Sequence, residues 1–305
     1  MLIFDTLDEV YIYYAKILND ASSCAPRGMA VKEIIGAGFE LLNIRNRLMY
    51  AKERNPSLFF HIGEFLWYIR GSDALDIIQY YSKMYPRFSD DQKTLYGAYG
   101  KRIFSQNNAQ ISPWDCIIKL LKADPDSRQA VLSIYEPHDL YTQSKDVPCT
   151  CSLQFLIRKD HLYCVTYMRS NDLYLGLPYD VFSFTLLQEM LANELGVQVG
   201  SYRHYVGSLH VYEKNYPDIA KCRDAAICHP MPMSPMPILD TVQRQILLDF
   251  EERLRHNESI TEGELEHLDP YWRQFAIILM YKAADAWGTI PPTHTLDERY
   301  RIKLQ

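Results

Sequence analysis

No apolar run approaches the roughly 18–20 residues that a helix needs to span a bilayer, so a helical membrane protein is not expected from these 305 residues. The first segment, MLIFDTLDEVYIYYAKIL, carries acidic residues where a secretory signal would carry basic ones. A cytoplasmic location is therefore the default expectation, with no membrane partner. A basic surplus is missing too: 32 Lys and Arg stand against 38 Asp and Glu, a formal charge of -6. That argues against a nucleic-acid-coating surface, although local arginines can still hold a small anion. Seven cysteines is an odd number, and none form a C-x-x-C pair. Reduced thiols are expected rather than a disulfide framework. There is no internal repeat, no low-complexity tract and no Gly/Ser-rich linker. What remains is an ordinary globular composition, 48% apolar and 23% charged. The 23 tyrosines suggest only core and interface packing.

Helices are expected over residues 59–68 and 75–81, and strands over 130–135, 152–158 and 161–168, with Lys159-Asp160 turning between the last two. A strongly apolar helix is expected over 181–195, stopped by Gly196, and a further helix from Val211. The stretch MPMSPMP at 231–237 must be extended. Beyond it, 239–255 and 261–287 read as helices, with apolar residues on one face from Asp240 onward. Strands and helices interleave without the rhythm of a doubly wound sheet. An α+β domain around one main sheet fits best.

Pro148-Cys149-Thr150-Cys151 precedes a strand, and a cysteine at that edge exposes its sulfur to a ligand. An inert packed thiol is the plain alternative. Zinc is a further one, with Cys222 and Cys228-His229 as added ligands, but the spacing is poor and no metal is expected. Arg169-Ser170-Asn171-Asp172 at a strand end, before the turn Leu175-Gly-Leu-Pro-Tyr-Asp180, suits an anion, because a guanidinium fork matches phosphate oxygens. Asp180 also reads as a simple helix N-cap. Glu64 lies in an apolar helix, where a carboxylate is costly to bury without partners or a task; exposure at the core edge is the alternative. His210 and Tyr212 read equally as polar surface residues.

In order, these segments resemble the thymidylate synthase family over roughly residues 30–215. The motifs are Glu64-Phe-Leu-Trp67-Tyr-Ile-Arg-Gly71, Tyr99-Gly100-Lys101, Asp126-Ser127-Arg128, Pro148-Cys149 with Gln154-Phe155, the signature over 169–178, and His210-Val-Tyr212. The resemblance implies an α+β fold with one mixed sheet packed by helices, a single domain over 1–305 with a divergent, mostly helical region about 238–305, and a homodimer through the sheet face. It implies that Cys149 adds to C6 of a pyrimidine nucleoside monophosphate, so that C5 attacks the one-carbon unit of 5,10-methylenetetrahydrofolate. Arg169, Ser170 and Arg128 would hold the phosphate, Arg128 from the second subunit, with Arg27 a further contact. His210 and Tyr212 would bond the sugar. Glu64 would organise water and protons, Tyr99 would assist at C5, and Asp172 and Trp67 would hold the folate.

The departures from the family carry the substrate reading. Thymidylate synthases carry Asn where this chain has Asp180. An amide serves uracil, whereas a carboxyl with one shared proton serves cytosine's amino group and N3. A CMP or dCMP 5-hydroxymethylase is therefore expected, with water rather than hydride completing the reaction. Thr150 replaces the usual His after the nucleophile, and the short tail that closes over folate is not recognisable in 297–305. Gln129 replaces a second arginine, and could itself contact substrate. Ser208 stands where the family often has Asp. A thymidylate synthase, a uridylate hydroxymethylase and a non-catalytic nucleotide binder are the alternatives.

Overall fold

The computed structural model describes residues 1–105, 111–226, 229–287 and 296–304, with only the backbone of 285–287. Cys228 lies outside the described residues. The chain groups into two compact units: residues 1–56, 113–142 and 148–233 form the first, and 57–112, 143–147 and 234–305 the second.

The first unit holds the sheet. Its strands are β1 (Leu2–Phe4), β2 (Ser22–Cys24), β3 (Val31–Leu41), β4 (Val131–Ser133), β5 (Thr150–Arg158), β6 (His161–Asp172) and β7 (Gln198–Tyr212). They run in the order β1-β3-β7-β6-β5-β4, with β2 beside β3. The sheet is mixed: β1/β3 and β6/β7 are parallel, and the other pairs are antiparallel. Lys159 and Asp160, both left-handed at φ 49° and 62°, close the β5–β6 hairpin as expected, matching the twist of its strands.

Helices of this unit are α1 (Leu7–Asn19), α5 (Pro113–Ala123), α6 (Leu177–Leu195) and α7 (Tyr216–Arg223). A reciprocal Thr6–Glu9 capping box starts α1. Helix α6 is buried almost all round and ends at Gly196, which adopts the left-handed conformation at φ 69°. Its polar residues are tied to the sheet and loops. Gln188 Nε2 donates to the carbonyls of Leu162, Gly200 and Ser201. Glu189 accepts from Arg45 and from the fully buried Arg47.

The expected helix at Val211 is instead strand: β7 runs through Tyr212, and the helix begins only at Tyr216. The β-branched and aromatic residues of Val199, Tyr202 and Val206 favour the ladder. Along both β6 and β7 the buried alternation changes parity. Buried Thr166 and Met168 give way to Asn171 and Leu173, and His204 and Val206 give way to Leu209 and Val211. Both strands thus turn over at Arg169–Ser170 and Gly207, while their neighbour β3 carries Gly36 at φ 73°. A Cβ on Gly207 would stand 2.8 Å from the Arg169 carbonyl oxygen. That contact is why the position is glycine.

The second unit is helical. It contains α2 (Leu58–Arg70), α3 (Leu75–Tyr81), α4 (Tyr99–Phe104), α8 (Thr241–Arg255), α9 (Glu262–Leu265), α10 (Pro270–Trp287) and α11 (Glu298–Leu304). Helix α2 is apolar on every face and forms the centre of this unit, with α3, α4, α8, α10 and α11 against it. Ser57 caps its start, and left-handed Gly71 ends it. A Cβ on Gly100 would fall 2.5 Å from Tyr68 Cα, so α4 lies backbone to backbone on α2. The expected helix over 261–287 is two helices, because the residue before Pro270 is driven out of the helical region and Pro270 starts α10.

Gly207→Ala is expected to lower the unfolding free energy by about 1–3 kcal/mol, read as a lower urea midpoint. An unchanged midpoint would mean that the β6–β7 turnover does not need the missing Cβ.

Candidate active site

Cys149 sits just before β5, partly exposed and reduced. Its neighbours come from the end of β6. Arg169 N donates to the Cys149 carbonyl at 2.9 Å, and Arg169 Nε donates to the Pro148 carbonyl at 2.8 Å. Arg169 Nη1 donates to Ser170 Oγ at 3.2 Å, and Ser170 Oγ donates to Cys149 Sγ at 3.5 Å. The turnover of β6 therefore delivers a guanidinium, a hydroxyl and a thiol to one place. A cation and a hydroxyl donor beside a thiol suit a site that takes an anionic ligand next to the sulfur.

The β7 residues join this group. His210 is the ladder partner of Asp172, and its ring meets Tyr212 edge-on at 5.2 Å. Burial pushes the Tyr212 phenol up, with Asp172 and Cys149 adding to the effect and Arg27 and Arg169 opposing it. Five of the expected site residues thus share one electrostatic neighbourhood. Arg27 is exposed in a turn at φ 52°, followed by Gly28 at φ 77°. A non-glycine residue there costs about 1 kcal/mol. Ser208, where the family often has Asp, donates to Glu33 at 2.6 Å.

Asp172 Oδ1 accepts from the amides of Tyr174 and Leu175 at 2.8 and 3.1 Å. Its Oδ2 is buried with no partner among the described residues. Burial raises its pKa, opposed by the Leu175 amide, His210, the Tyr174 amide and Lys214. An acceptor left open in this way fits an N–H donor on a bound heterocycle. Arg54, not anticipated from the sequence, braces the same turn. It donates to the Tyr174 carbonyl at 2.7 Å and lies 4.4 Å from the Tyr174 ring centroid.

Asp180 is not the N-cap of α6. Gly176 occupies that position, without a side-chain cap, and Asp180 lies a turn inside the helix. Its Oδ2 accepts from Asn171 Nδ2 at 2.7 Å. Burial pushes the carboxyl up to about 7, the Asn171 donor opposes this, and Asp172 adds to it. Behind Asn171, His204 Nε2 lies 3.2 Å from Asn171 Oδ1, and Tyr202 Oη lies 2.7 Å from His204 Nδ1. His204 is fully buried, and its pKa is lowered to about 3 by that burial. Asn171, Tyr202 and His204 were not singled out in the sequence. The signal for the last two is the two-residue alternation of Tyr202, His204 and Val206, visible only once β7 is read as a strand.

Arg128 and Gln129 stand apart from this cluster. Both are exposed in the turn before β4, where the Arg128 carbonyl accepts from Gln154 Nε2 at 2.9 Å.

The second unit holds the other expected residues. Glu64 is buried rather than at a core edge, 6% exposed, and accepts from Tyr85 Oη at 3.2 Å. Trp67 meets Tyr85 edge-on at 6.1 Å, and its indole nitrogen is buried without a partner among the described residues. Tyr99 stacks at a tilt on Tyr68, 5.7 Å away. Helix α11 is tied down at its start: Arg299 is paired with Asp297 and donates to Ser234 Oγ. Among the described residues, no group of three or more His, Cys, Asp or Glu is arranged to hold a metal, and no helix is long and apolar enough to cross a membrane.

Residues 16–247 match the family described as thymidylate synthase. A deoxyuridylate hydroxymethyltransferase of Bacillus phage SP01 is 34% identical over 270 residues, covering 84% of this chain and 69% of that protein.

The folded pKa of Asp180 lies above its ordinary value of 3.8. The folded state therefore holds this proton more tightly, and its contribution to stability falls as pH rises from 3.8 toward about 7. Asp180→Asn keeps an acceptor for Asn171 without the titration. The variant is expected to gain on the order of 4 kcal/mol relative to the native protein across that window. A stability difference flat with pH would contradict the raised carboxyl.

Proposed function

We propose a reaction from one premise: the chain belongs to the thymidylate synthase family. One-carbon transfer to C5 of a pyrimidine nucleotide follows from that membership and from the hydroxymethyltransferase relative. The specific reading is a hydroxymethyl transfer to CMP or dCMP, with 5,10-methylenetetrahydrofolate and water as co-substrates and tetrahydrofolate released. The observation that carries it is Asp180, a buried carboxyl raised to about 7, standing where thymidylate synthases carry an amide. Near neutral pH it both donates and accepts, so it accepts from the cytosine amino group and donates to N3.

In this reading Cys149 adds to C6, and the electrons of the C5–C6 double bond become available at C5. Ser170, bonded to the sulfur, and Arg169, bonded to Ser170, hold the phosphate with Arg27. His210 and Tyr212 bond the sugar. The folate supplies a carbon at the oxidation level of formaldehyde, and the open Oδ2 of Asp172 accepts an N–H of its pterin; Trp67 is assigned to the same co-substrate. C5 takes that carbon; loss of the C5 proton, with Tyr99 assisting, then breaks the carbon–nitrogen bond to the folate and leaves an exocyclic methylene. Water then adds to the exocyclic methylene, Glu64 handling its proton, as the C6–sulfur bond breaks. Tetrahydrofolate, not dihydrofolate, leaves, because no hydride is consumed.

A homodimer belongs to the same reading. Val131, Tyr167 and Tyr205 are exposed large side chains on the sheet, and Arg128 and Gln129 project from the same chain without entering its own cluster. Each subunit lends its Arg128 to the partner's phosphate site.

A uridylate substrate is the second reading, favoured by the phage relative, which is named for deoxyuridylate. The carboxyl proton turned toward O4, with the other oxygen accepting N3–H, serves uracil equally well.

Cys149→Ser is expected to abolish tritium release from a C5-labelled nucleotide, by at least about 1000-fold, while phosphate-dependent binding persists. Substantial residual release would remove Cys149 from the nucleophile role. Asp180→Asn is expected to move base preference toward uracil, in competition assays, by about 10-fold or more. An unchanged preference would mean that the base is read elsewhere. Dihydrofolate appearing by absorbance would return the chain to thymidylate synthesis.

A further inference from the structure

Asp180 as a base reader has an ambiguity. A protonated carboxyl whose proton can sit on either oxygen presents donor–acceptor or acceptor–donor, and so fits cytosine and uracil alike. Selectivity needs something that decides which oxygen carries the proton. Asn171, at the end of β6 and 3% exposed, is placed to do this.

The hydrogen bonds behind Asn171 run in one direction. The amide presents its NH2 to Asp180, a bond that the ionised carboxylate and the carbonyl oxygen of the acid both accept. With Nδ2 committed to Asp180 Oδ2, Asn171 Oδ1 must accept, so His204 carries its proton on Nε2. His204 Nδ1 must then accept from the Tyr202 hydroxyl, and Tyr202 is itself held by the Thr166 hydroxyl. Thr166, Tyr202 and His204 are all 0% exposed. The neutral imidazole is what this order requires.

We propose that Asn171 is a positioning residue that makes Asp180 a one-directional reader: it keeps Oδ2 an acceptor and leaves Oδ1 the oxygen that donates to the base. The proposal rests on the reading of Asp180 as the group that meets the base. An oxygen that already accepts a 2.7 Å amide bond is the poorer place for the acid proton, which therefore stays on Oδ1. The groups that face Asp180 are Asp172 and Asn171 from β6 and Tyr202 from β7, with His204 behind Asn171. Asp172 favours the proton being held, and neutral His204 adds no charge against it. Room for the pair is reserved by Gly176, where a Cβ would stand 3.0 Å from Asn171 Nδ2 and 3.1 Å from Asp180 Oδ2. A carboxyl of fixed polarity satisfies one pyrimidine and leaves the other with two opposed groups.

The test is calorimetric binding of CMP, dCMP, UMP and dUMP to the full chain, read as the cytosine-to-uracil ratio within the sugar series that binds. Asn171→Ala is expected to bring that ratio at least about tenfold closer to unity. Tyr202→Phe, which leaves Asn171 and Asp180 in place but frees the His204 ring, is expected to move it the same way by less. Thermal melts identify any variant that fails to fold, in which case Tyr202→Phe alone carries the test. A ratio unchanged in the folded variants, with both bases weakened alike, overturns the proposal, as does a native protein with no base preference. A native preference for uracil would sink the cytidylate reading while leaving the collapse of the ratio as the test of Asn171. A ratio unmoved by Asp180→Ala would show that Asp180 does not read the base, and both fall together.

Discussion

Asp180 is held where the fold removes water and yet supplies a donor, and these two effects pull its proton in opposite directions. Burial at the start of α6 disfavours the charge, while the Asn171 amide stabilises it. The outcome is a carboxyl near its midpoint at neutral pH, a state that an exposed carboxyl does not reach. This balance depends on close approach. Gly176 leaves space for the amide–carboxyl pair, and Gly207 lets β7 lie against the Arg169 carbonyl. The same strand turnover brings Arg169 and Ser170 to Cys149. The guanidinium and hydroxyl beside the Cys149 thiol and the amide partner of the buried carboxyl are therefore consequences of how β6 ends.

Much of this was legible in the residue pattern. Helices α3 and α6 and the β5–β6 hairpin follow from apolar spacing, a glycine stop and a Lys-Asp turn, all of which act locally. The grouping of Cys149 with Arg169 and Ser170 was legible through the signature motif. Strand β7 was not, because glycines and serines at 200–201 and 207–208 interrupt its alternation; those residues serve the strand turnover rather than the ladder. Helix α1 and strand β3 also went unread. The break before Pro270 is encoded by its proline but masked by apolar spacing that continues through it. Asn171 was visible inside the motif without a role, since its partners lie nine and thirty-three residues away.

The family fixes the reaction class, and in the proposed reading the choice of base rests on few atoms. An amide and a protonated carboxyl differ by one exchangeable proton, so the same pocket geometry serves different pyrimidines according to where that proton sits. This is how a chain with 34% identity to a deoxyuridylate hydroxymethyltransferase can carry a cytidylate reading without contradiction. Both readings share the capture of the methylene carbon by water, and they separate only at positions 3 and 4 of the ring.

The most direct test incubates the chain with 5,10-methylenetetrahydrofolate and each of CMP, dCMP, UMP and dUMP, and reads the products by mass spectrometry. The account predicts a gain of one CH2O unit on a cytidylate, in one or both sugar series, with tetrahydrofolate formed. A gain of CH2 on dUMP would contradict it, and the buried carboxyl of Asp180 would need another explanation.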